Sequence, residues 1–131
     1  MNGSQLLAEI LKKENIKFLS CFPSTDLIES CAEINIKPII CRQERIGVAI
    51  ADGISRSTGG QQIGVFAMQG GPGAENSFPG AAQSFADNVP VLLIPGGESL
   101  NRSFISPNFV STNNYSNVTK WLAQVNDINR L

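Results

Sequence analysis

Three short polar segments of the sequence carry the residues best suited to chemistry. They are Pro23-Ser24-Thr25-Asp26, Arg42-Gln43-Glu44-Arg45 and the run from Gln69 to Gly73, and each follows a short apolar run. Glu44 stands out because it comes almost directly after one apolar run and opens a helical pattern. A carboxylate there can serve as a general acid or base, but it can equally stabilise the helix dipole, by ~0.3–1 kcal/mol. Position alone favours the structural role.

The glycine-rich run has the composition of a phosphate-binding loop but not its spacing. Its sequence, Gln69-Gly70-Gly71-Pro72-Gly73-Ala74-Glu75-Asn76, matches neither the GxGxxG nor the GxxxxGK[ST] pattern. Glu75 would also repel a phosphate at the start of the helix that follows. The run therefore indicates a tight turn that another group approaches closely. An unrelated α/β nucleotide-binding protein that uses this loop stays open as an alternative.

The histidine and cysteine content excludes several kinds of site. The chain has no histidine, which excludes a Ser-His-Asp triad, a histidine general base and metal sites of the HExxH or Cys2His2 type. Its three cysteines, Cys21, Cys31 and Cys41, lie ten residues apart, a spacing that fits neither a disulfide framework nor a CxxC site. We expect them to be small buried apolar residues.

Size and charge narrow the class of protein further. The chain has 131 residues, enough for one domain, and is 42% hydrophobic with a net charge of −1. It lacks the basic patches of a nucleic-acid-binding protein, and it has no apolar run long enough to span a membrane. Because its N-terminus has no secretory signal pattern, we expect a reducing, cytoplasmic location.

Apolar runs alternate with amphipathic stretches along most of the chain. The runs predict strands at residues 18–22, 38–41, 63–68 and 91–94. Helices are predicted between them, at residues 4–14, from a cap at Ser24 or Thr25 to about residue 32, at 43–58 and from about 74 to 85. Strands that are apolar throughout and separated by helices indicate an α/β fold, with a parallel sheet that helices cover on both faces.

The predicted helix at 43–58 has an unusually small interior. Gly47, Ala49, Ala51 and Gly53 lie within it, although each glycine costs ~1 kcal/mol relative to alanine in a helix. Such residues permit close packing, either against a partner chain or against the sheet of the same chain. The sequence leaves both possibilities open.

The last third of the chain is different in composition. Residues 98–117 are rich in serine and asparagine and predict a long surface segment, and residues 118–125 resemble an extended segment. Asn126-Asp127 is a helix start signal, followed by Ile128 and Leu131 as a first apolar pair. A helix start at the very end of the sequence suggests that the sequence is cut short, and a frayed natural tail is the alternative.

Three motifs in order resemble those of a known family. Residues 42–56 resemble the glutamate-helix signature of thiamine-diphosphate-dependent enzymes, and residues 71–76 and 87–92 resemble its next two landmarks. Their order and separations are similar to those in the N-terminal pyrimidine-binding domain of the acetolactate-synthase-like group. The resemblance covers about residues 4–131. It implies a single domain over residues 1–131 with the pyrimidine-type thiamine-diphosphate-binding fold, lacking its last helix and strand.

The resemblance implies a role for Glu44. The matching family glutamate hydrogen-bonds N1′ of the aminopyrimidine of thiamine diphosphate and so promotes loss of the thiazolium C2 proton. Glu44 would be the catalytic residue for decarboxylation or carboligation of a 2-keto acid, with the cofactor supplying the organic chemistry. The matching positions imply a set of cofactor-binding residues: Pro23, Ser24, Glu44, Gln69, Gly71, Pro72 and Asn76.

The chain also departs from the family pattern. Gln43 stands where members often have histidine, and Arg45 stands where glycine is common. The sequence holds no Gly-Asp-Gly…Asn stretch, through which the family binds the diphosphate and Mg²⁺. We therefore expect a homodimer or a partner domain or subunit that supplies this half, and no activity from the chain alone. The alternative is a non-catalytic interaction module of the same fold that pairs with a diphosphate-binding subunit.

Overall fold

A four-stranded parallel sheet forms the centre of the molecule. The computed structural model describes residues 1–23 and 25–131. The strands are β1 (Phe18–Cys21), β2 (Lys37–Ile40), β3 (Gly64–Met68) and β4 (Val91–Pro95), and they lie in the order β2-β1-β3-β4. The helices are α1 (Gly3–Lys13), α2 (Leu27–Glu33), α3 (Glu44–Ser57), α4 (Pro72–Ala86) and α5 (Ser111–Tyr115), with a 3-10 turn at Ile128–Arg130. The predicted α/β parallel architecture is confirmed.

Helices cover both faces of this sheet, as the continuous apolar strands predict. All five residues of β3 are buried, and they alternate between two cores because successive side chains of a strand point to opposite faces. Val65 and Ala67 join the core that α1 and α2 complete. Phe66 and Met68 join a second core, which includes Val48 and Ala51 of α3.

Helices α3 and α4 lie side by side and run in the same direction. Their contacts follow one order along both helices: Glu44 with Gly73, Val48 with Gly80, Asp52 with Ser84 and Arg56 with Asp87. A β-carbon on Gly80 would lie 2.8 Å from Cβ of Val48, so glycine allows this close approach. The two helix N-termini consequently meet at the edge of the sheet where the strands end.

Two of the four small residues of α3, Gly47 and Ala51, pack within the chain. A β-carbon on Gly47 would lie 2.1 Å from Cε2 of Phe66, and one on Gly64 would lie 1.8 Å from the carbonyl oxygen of Ala51. Both Gly47 and Ala51 are buried, so the interpretation that they face a partner chain is wrong and packing on the sheet is confirmed. Gly53 differs, because nothing lies within 4 Å of its missing β-carbon.

The first two helices begin with different kinds of cap. Asn2 caps α1 and forms a reciprocal capping box with Gln5. The predicted cap at Thr25 is wrong: the N-cap of α2 is Asp26, and its side chain makes no capping bond. The alternative cap, Ser24, lies outside the described residues.

The segment after β4 is not wholly a surface segment, which corrects the prediction for residues 98–117. It contains α5, and Tyr115 at the end of α5 is only 6% exposed. Residues 118–125 form no strand. Ile128–Arg130 forms only a 3-10 turn after the predicted start signal, with Asp127 as its cap. A further helix and strand beyond this point stay a prediction.

The three cysteines are free thiols in the core, as expected. Burial raises the pKa of Cys21 and of Cys31 to about 11, and neighbouring thiols add to the effect. Burial also raises the pKa of Cys41, and the nearby Glu44 carboxylate raises it further. Across the described part of the chain, no helix combines the length and the apolar character that crossing a bilayer requires.

Candidate functional site

The candidate site lies at the edge of the sheet where the parallel strands end. Pro23 follows β1, residues 41–43 follow β2 and lead into α3, and Gln69 follows β3. This is where open parallel sheets place their ligands, because loops from neighbouring strands meet there. The described residues of the three polar segments therefore come to one edge, as the strand pattern predicts.

Glu44 is the first residue of α3 and is only 6% exposed. Its neighbour Asn76, in α4, donates its Nδ2 amide to Oε2 of Glu44 over 3.3 Å. Among the residues that the structure describes, no lysine or arginine forms an ion pair with it. A buried carboxylate is costly unless charged or hydrogen-bonding groups complete its environment. The adjoining N-termini of α3 and α4 offset part of that cost through their dipoles.

The glycine-rich loop lets α4 begin directly beside Glu44. Gly71 is the N-cap of α4 with φ of 56°, a left-handed conformation that glycine adopts without strain. Pro72 occupies the first turn, where its missing N–H costs nothing. A β-carbon on Gly73 would lie 3.2 Å from Oε1 of Glu44 and 3.0 Å from Cβ of Gln69. The loop is thus a tight turn with close approach, as its spacing predicts.

The structure gathers some of the predicted site residues more closely than others. Glu44, Gln69 and Asn76 converge around Gly73. Pro23 and Pro72 are exposed at the same edge, and the predicted site residue Ser24 lies outside the described residues. Gly73 is absent from the predicted binding set, although its place between Pro72 and Ala74 in the family-like motif was a usable signal.

A large apolar groove lies elsewhere in the molecule. It has a volume of about 730 Å³ and runs along β4 between α1 and residues 111–123. None of the predicted site residues lines it. The groove offers apolar surface, whereas the edge beside Glu44 offers a buried carboxylate with a fixed donor, so the chemistry favours the edge as the candidate site.

Comparisons with known proteins bear out the family resemblance. The family described as "Thiamine pyrophosphate enzyme, N-terminal TPP binding domain" matches residues 1–117. The acetolactate synthase large subunit of Haemophilus influenzae is 29% identical over 100 residues, covering 73% of this chain and 17% of that protein. The large subunit from Lactococcus lactis is 30% identical over 99 residues, or 72% of this chain and 17% of the relative. Isozyme 3 of Escherichia coli is 27% identical over 100 residues, with 73% and 17% covered.

The chain therefore spans 17% of the length of these relatives. Their similarity bears on one part of a longer enzyme. The family match includes Glu44, the glycine-rich loop and α4, and thus the whole candidate site.

Proposed function

Because this chain belongs to the family of thiamine pyrophosphate enzyme N-terminal TPP-binding domains, we propose that Glu44 is its catalytic residue at the pyrimidine of the cofactor. The observation that carries the proposal is that Glu44 is buried with the amide of Asn76 donating to its carboxyl group and with no side chain on Gly73. A carboxyl group can accept a hydrogen bond when ionised and donate one when protonated. Such a group suits a ring nitrogen that gains and loses a proton.

Each residue at this edge would make a different contact with the pyrimidine or with its neighbours. Glu44 holds or moves a proton at N1′, and Asn76 fixes the carboxyl group through Oε2. Gly73 leaves open the space that a β-carbon would fill beside Oε1. When bound, thiamine diphosphate supplies the electron-accepting chemistry that decarboxylation or carboligation of a 2-keto acid needs. The substrate class rests on the names of the acetolactate synthase relatives.

The other half of the cofactor would be held outside this chain. Among the described residues, no three histidine, cysteine, aspartate or glutamate side chains come together as a metal site. We propose that a second copy, or a separate diphosphate-binding domain or subunit, provides the Mg²⁺ and diphosphate contacts. The lack of turnover by the chain alone and the cytoplasmic location remain predictions.

An NMR titration of the ¹⁵N-labelled chain tests the proposal. Millimolar thiamine diphosphate and thiamine should both shift the signals of Glu44, Gly73 and Asn76, whereas inorganic diphosphate should not, because the pyrimidine makes the contact. Glu44→Ala should remove the response. Glu75→Gln is the matched control, since Glu75 is an exposed glutamate in the first turn of α4.

The same titration separates the catalytic reading from a non-catalytic interaction module. Such a module would bind a diphosphate-binding subunit, yet its signals at Glu44 and Asn76 would not respond to thiamine. Unchanged signals at this edge with both thiamine compounds would therefore contradict the proposed function.

A further inference from the structure

Tyr115 is buried against the first part of α4, although it comes from a polar segment. Its ring meets that of Phe78 edge to face, with centroids 5.4 Å apart and planes at 77°. Ala74 and Ala81 of α4 complete the buried cluster around it. A small apolar cluster thus holds the α5 segment against α4.

The Tyr115 hydroxyl also makes polar contacts inside this cluster. It lies 2.5 Å from Oγ of Ser77 and bonds to the carbonyl oxygen of Ala74. Oγ of Ser77 in turn lies 2.8 Å from the same carbonyl and 3.1 Å from Sδ of Met68. Burial raises the pKa of Tyr115 and outweighs the opposing effect of Ser77, so the hydroxyl keeps its proton near neutral pH.

Tyr115 and Ser77 each contribute one hydroxyl proton, and one arrangement places both protons in hydrogen bonds. Tyr115 donates to the Ala74 carbonyl, and Ser77 donates to the Tyr115 oxygen. Ala74 and Ser77 are completely buried, so water cannot replace a lost partner without a change in packing. The hydroxyl of Tyr115 therefore fixes the backbone of the first turn of α4.

That same turn also contacts Glu44. Gly73 immediately precedes Ala74, and Asn76 immediately precedes Ser77. Gly73 flanks Oε1 of Glu44, and Asn76 donates to Oε2. A displacement of Ala74 or Ser77 must move Gly73 or Asn76 with it, because the helical backbone joins them.

We propose that Tyr115 is a positioning residue of the Glu44 site: through Ala74 and Ser77, its hydroxyl sets the place of the α4 turn that carries Gly73 and Asn76. The geometric part stands on the contacts alone. Its consequence for binding the pyrimidine rests on the proposed function. The Tyr115 hydroxyl bonds to Ala74 and Ser77 and acts on Glu44 through α4.

Tyr115→Phe tests this relation, because it keeps the ring against Phe78 and removes only the hydroxyl. The readout is the side-chain amide of Asn76 in ¹H–¹⁵N spectra, together with hydrogen exchange of backbone amides 73–77. We expect the Asn76 amide signals to move towards those of a free asparagine. Exchange in this turn should accelerate roughly tenfold or more as it opens locally. Ser77→Ala should give the same pattern and serves as the second variant.

Ser55→Ala is the matched control. Ser55 is an equally buried serine, which bonds to the Pro90 carbonyl and accepts from the amide of Gly64, at the end of α3 far from the first turn of α4. Its loss should lower the melting temperature without moving the Asn76 signals. The proposal is overturned if Tyr115→Phe and Ser77→Ala leave these signals unchanged, or if Ser55→Ala shifts them as much.

The titration with thiamine separates failure of this inference from failure of the proposed function. If the variants shift the Asn76 amide but wild type never responds to thiamine, the positioning role stands and the proposed function fails. If wild type responds to thiamine and Tyr115→Phe behaves as wild type in every readout, the inference fails and the proposed function stands.

Discussion

Gly73 passes Glu44 so closely that a β-carbon on the glycine would lie 3.2 Å from Oε1 of the carboxyl group. The same β-carbon would lie 3.0 Å from Cβ of Gln69. The side of Glu44 that faces α4 is thus bounded by bare backbone, while Asn76 holds its other oxygen. The buried Glu44 therefore lies at the sheet edge, and Gly73 and Asn76 in one turn of α4 set the orientation of its carboxyl group.

Gly73→Ala should therefore damage the site more than the fold. The added methyl must displace the Glu44 carboxyl group or the α4 turn, at a cost of ~1–3 kcal/mol for overpacking. The higher helix propensity of alanine offsets up to ~1 kcal/mol of this cost. Urea unfolding should show a modest net loss, and thiamine should no longer shift the Glu44 signal.

Gly53→Ala is the control for that substitution. Gly53 lies inside α3 with open space around it, so alanine should stabilise the fold by ~0.5–1 kcal/mol. Its response to thiamine should match that of wild type. Equal responses to thiamine from Gly73→Ala and Gly53→Ala would contradict the role given to Gly73.

Gly47→Ala should destabilise the second core directly. Its β-carbon would lie 2.1–2.7 Å from three ring atoms of Phe66, which is completely buried. We expect a loss of ~1–3 kcal/mol in the free energy of unfolding. Combining it with Phe66→Leu should cost less than the sum of the single changes, because the smaller side chain makes room. Additive costs in urea denaturation would show that the two positions are not coupled.

The buried thiols predict a loss of stability at alkaline pH. In the folded state the pKa of Cys21 and of Cys31 is raised to about 11, from 9.0 without the protein environment. The unfolded chain therefore releases these protons first, so their contribution is complete below pH 9 and is lost as pH rises from 9 to 11. Urea midpoints measured across this range should fall, and less steeply in Cys31→Ala.

Thiol labelling gives an independent check of this burial. At pH 8 the folded protein should react slowly with an alkylating reagent, and the urea-unfolded protein should react at all three cysteines. Rapid labelling of the native protein would contradict the buried positions of Cys21 and Cys31.

The sequence predicted the sheet and its main helices because these depend on local patterns. The continuous apolar run at β3 indicated burial on both faces, and Val65 and Phe66 indeed face different cores. Small residues in α3 indicated close packing, but composition could not say against what. That answer depends on Phe66 and Gly64, which follow in β3 and reach α3 only through the fold.

The candidate site was predictable in part. Glu44 was singled out by its place after a strand, and the family resemblance gave it a role. The bond from Asn76 joins residues 32 positions apart, and local sequence carries no sign of it. Tyr115 was missed because its neighbours are polar and its partner Ser77 lies 38 residues earlier. The cap of α2 was misassigned because the cap depends on where the chain bends into the helix.

The rate of C2 proton exchange on bound thiamine diphosphate tests the role of Glu44 most directly. It is measured in the protein completed by a diphosphate-binding domain or subunit, for wild type, Glu44→Gln and Glu75→Gln. Glutamine keeps the shape of Glu44 and can hydrogen-bond, but it cannot exchange a proton with N1′. Exchange in Glu44→Gln should therefore slow about 100- to 10,000-fold, or roughly 3–5 kcal/mol. Its melting temperature should change little, since the helix-dipole interaction is worth ~1 kcal/mol or less. Exchange at the wild-type rate in Glu44→Gln, with only a small loss of stability, would contradict the catalytic assignment and leave Glu44 a first-turn helix residue.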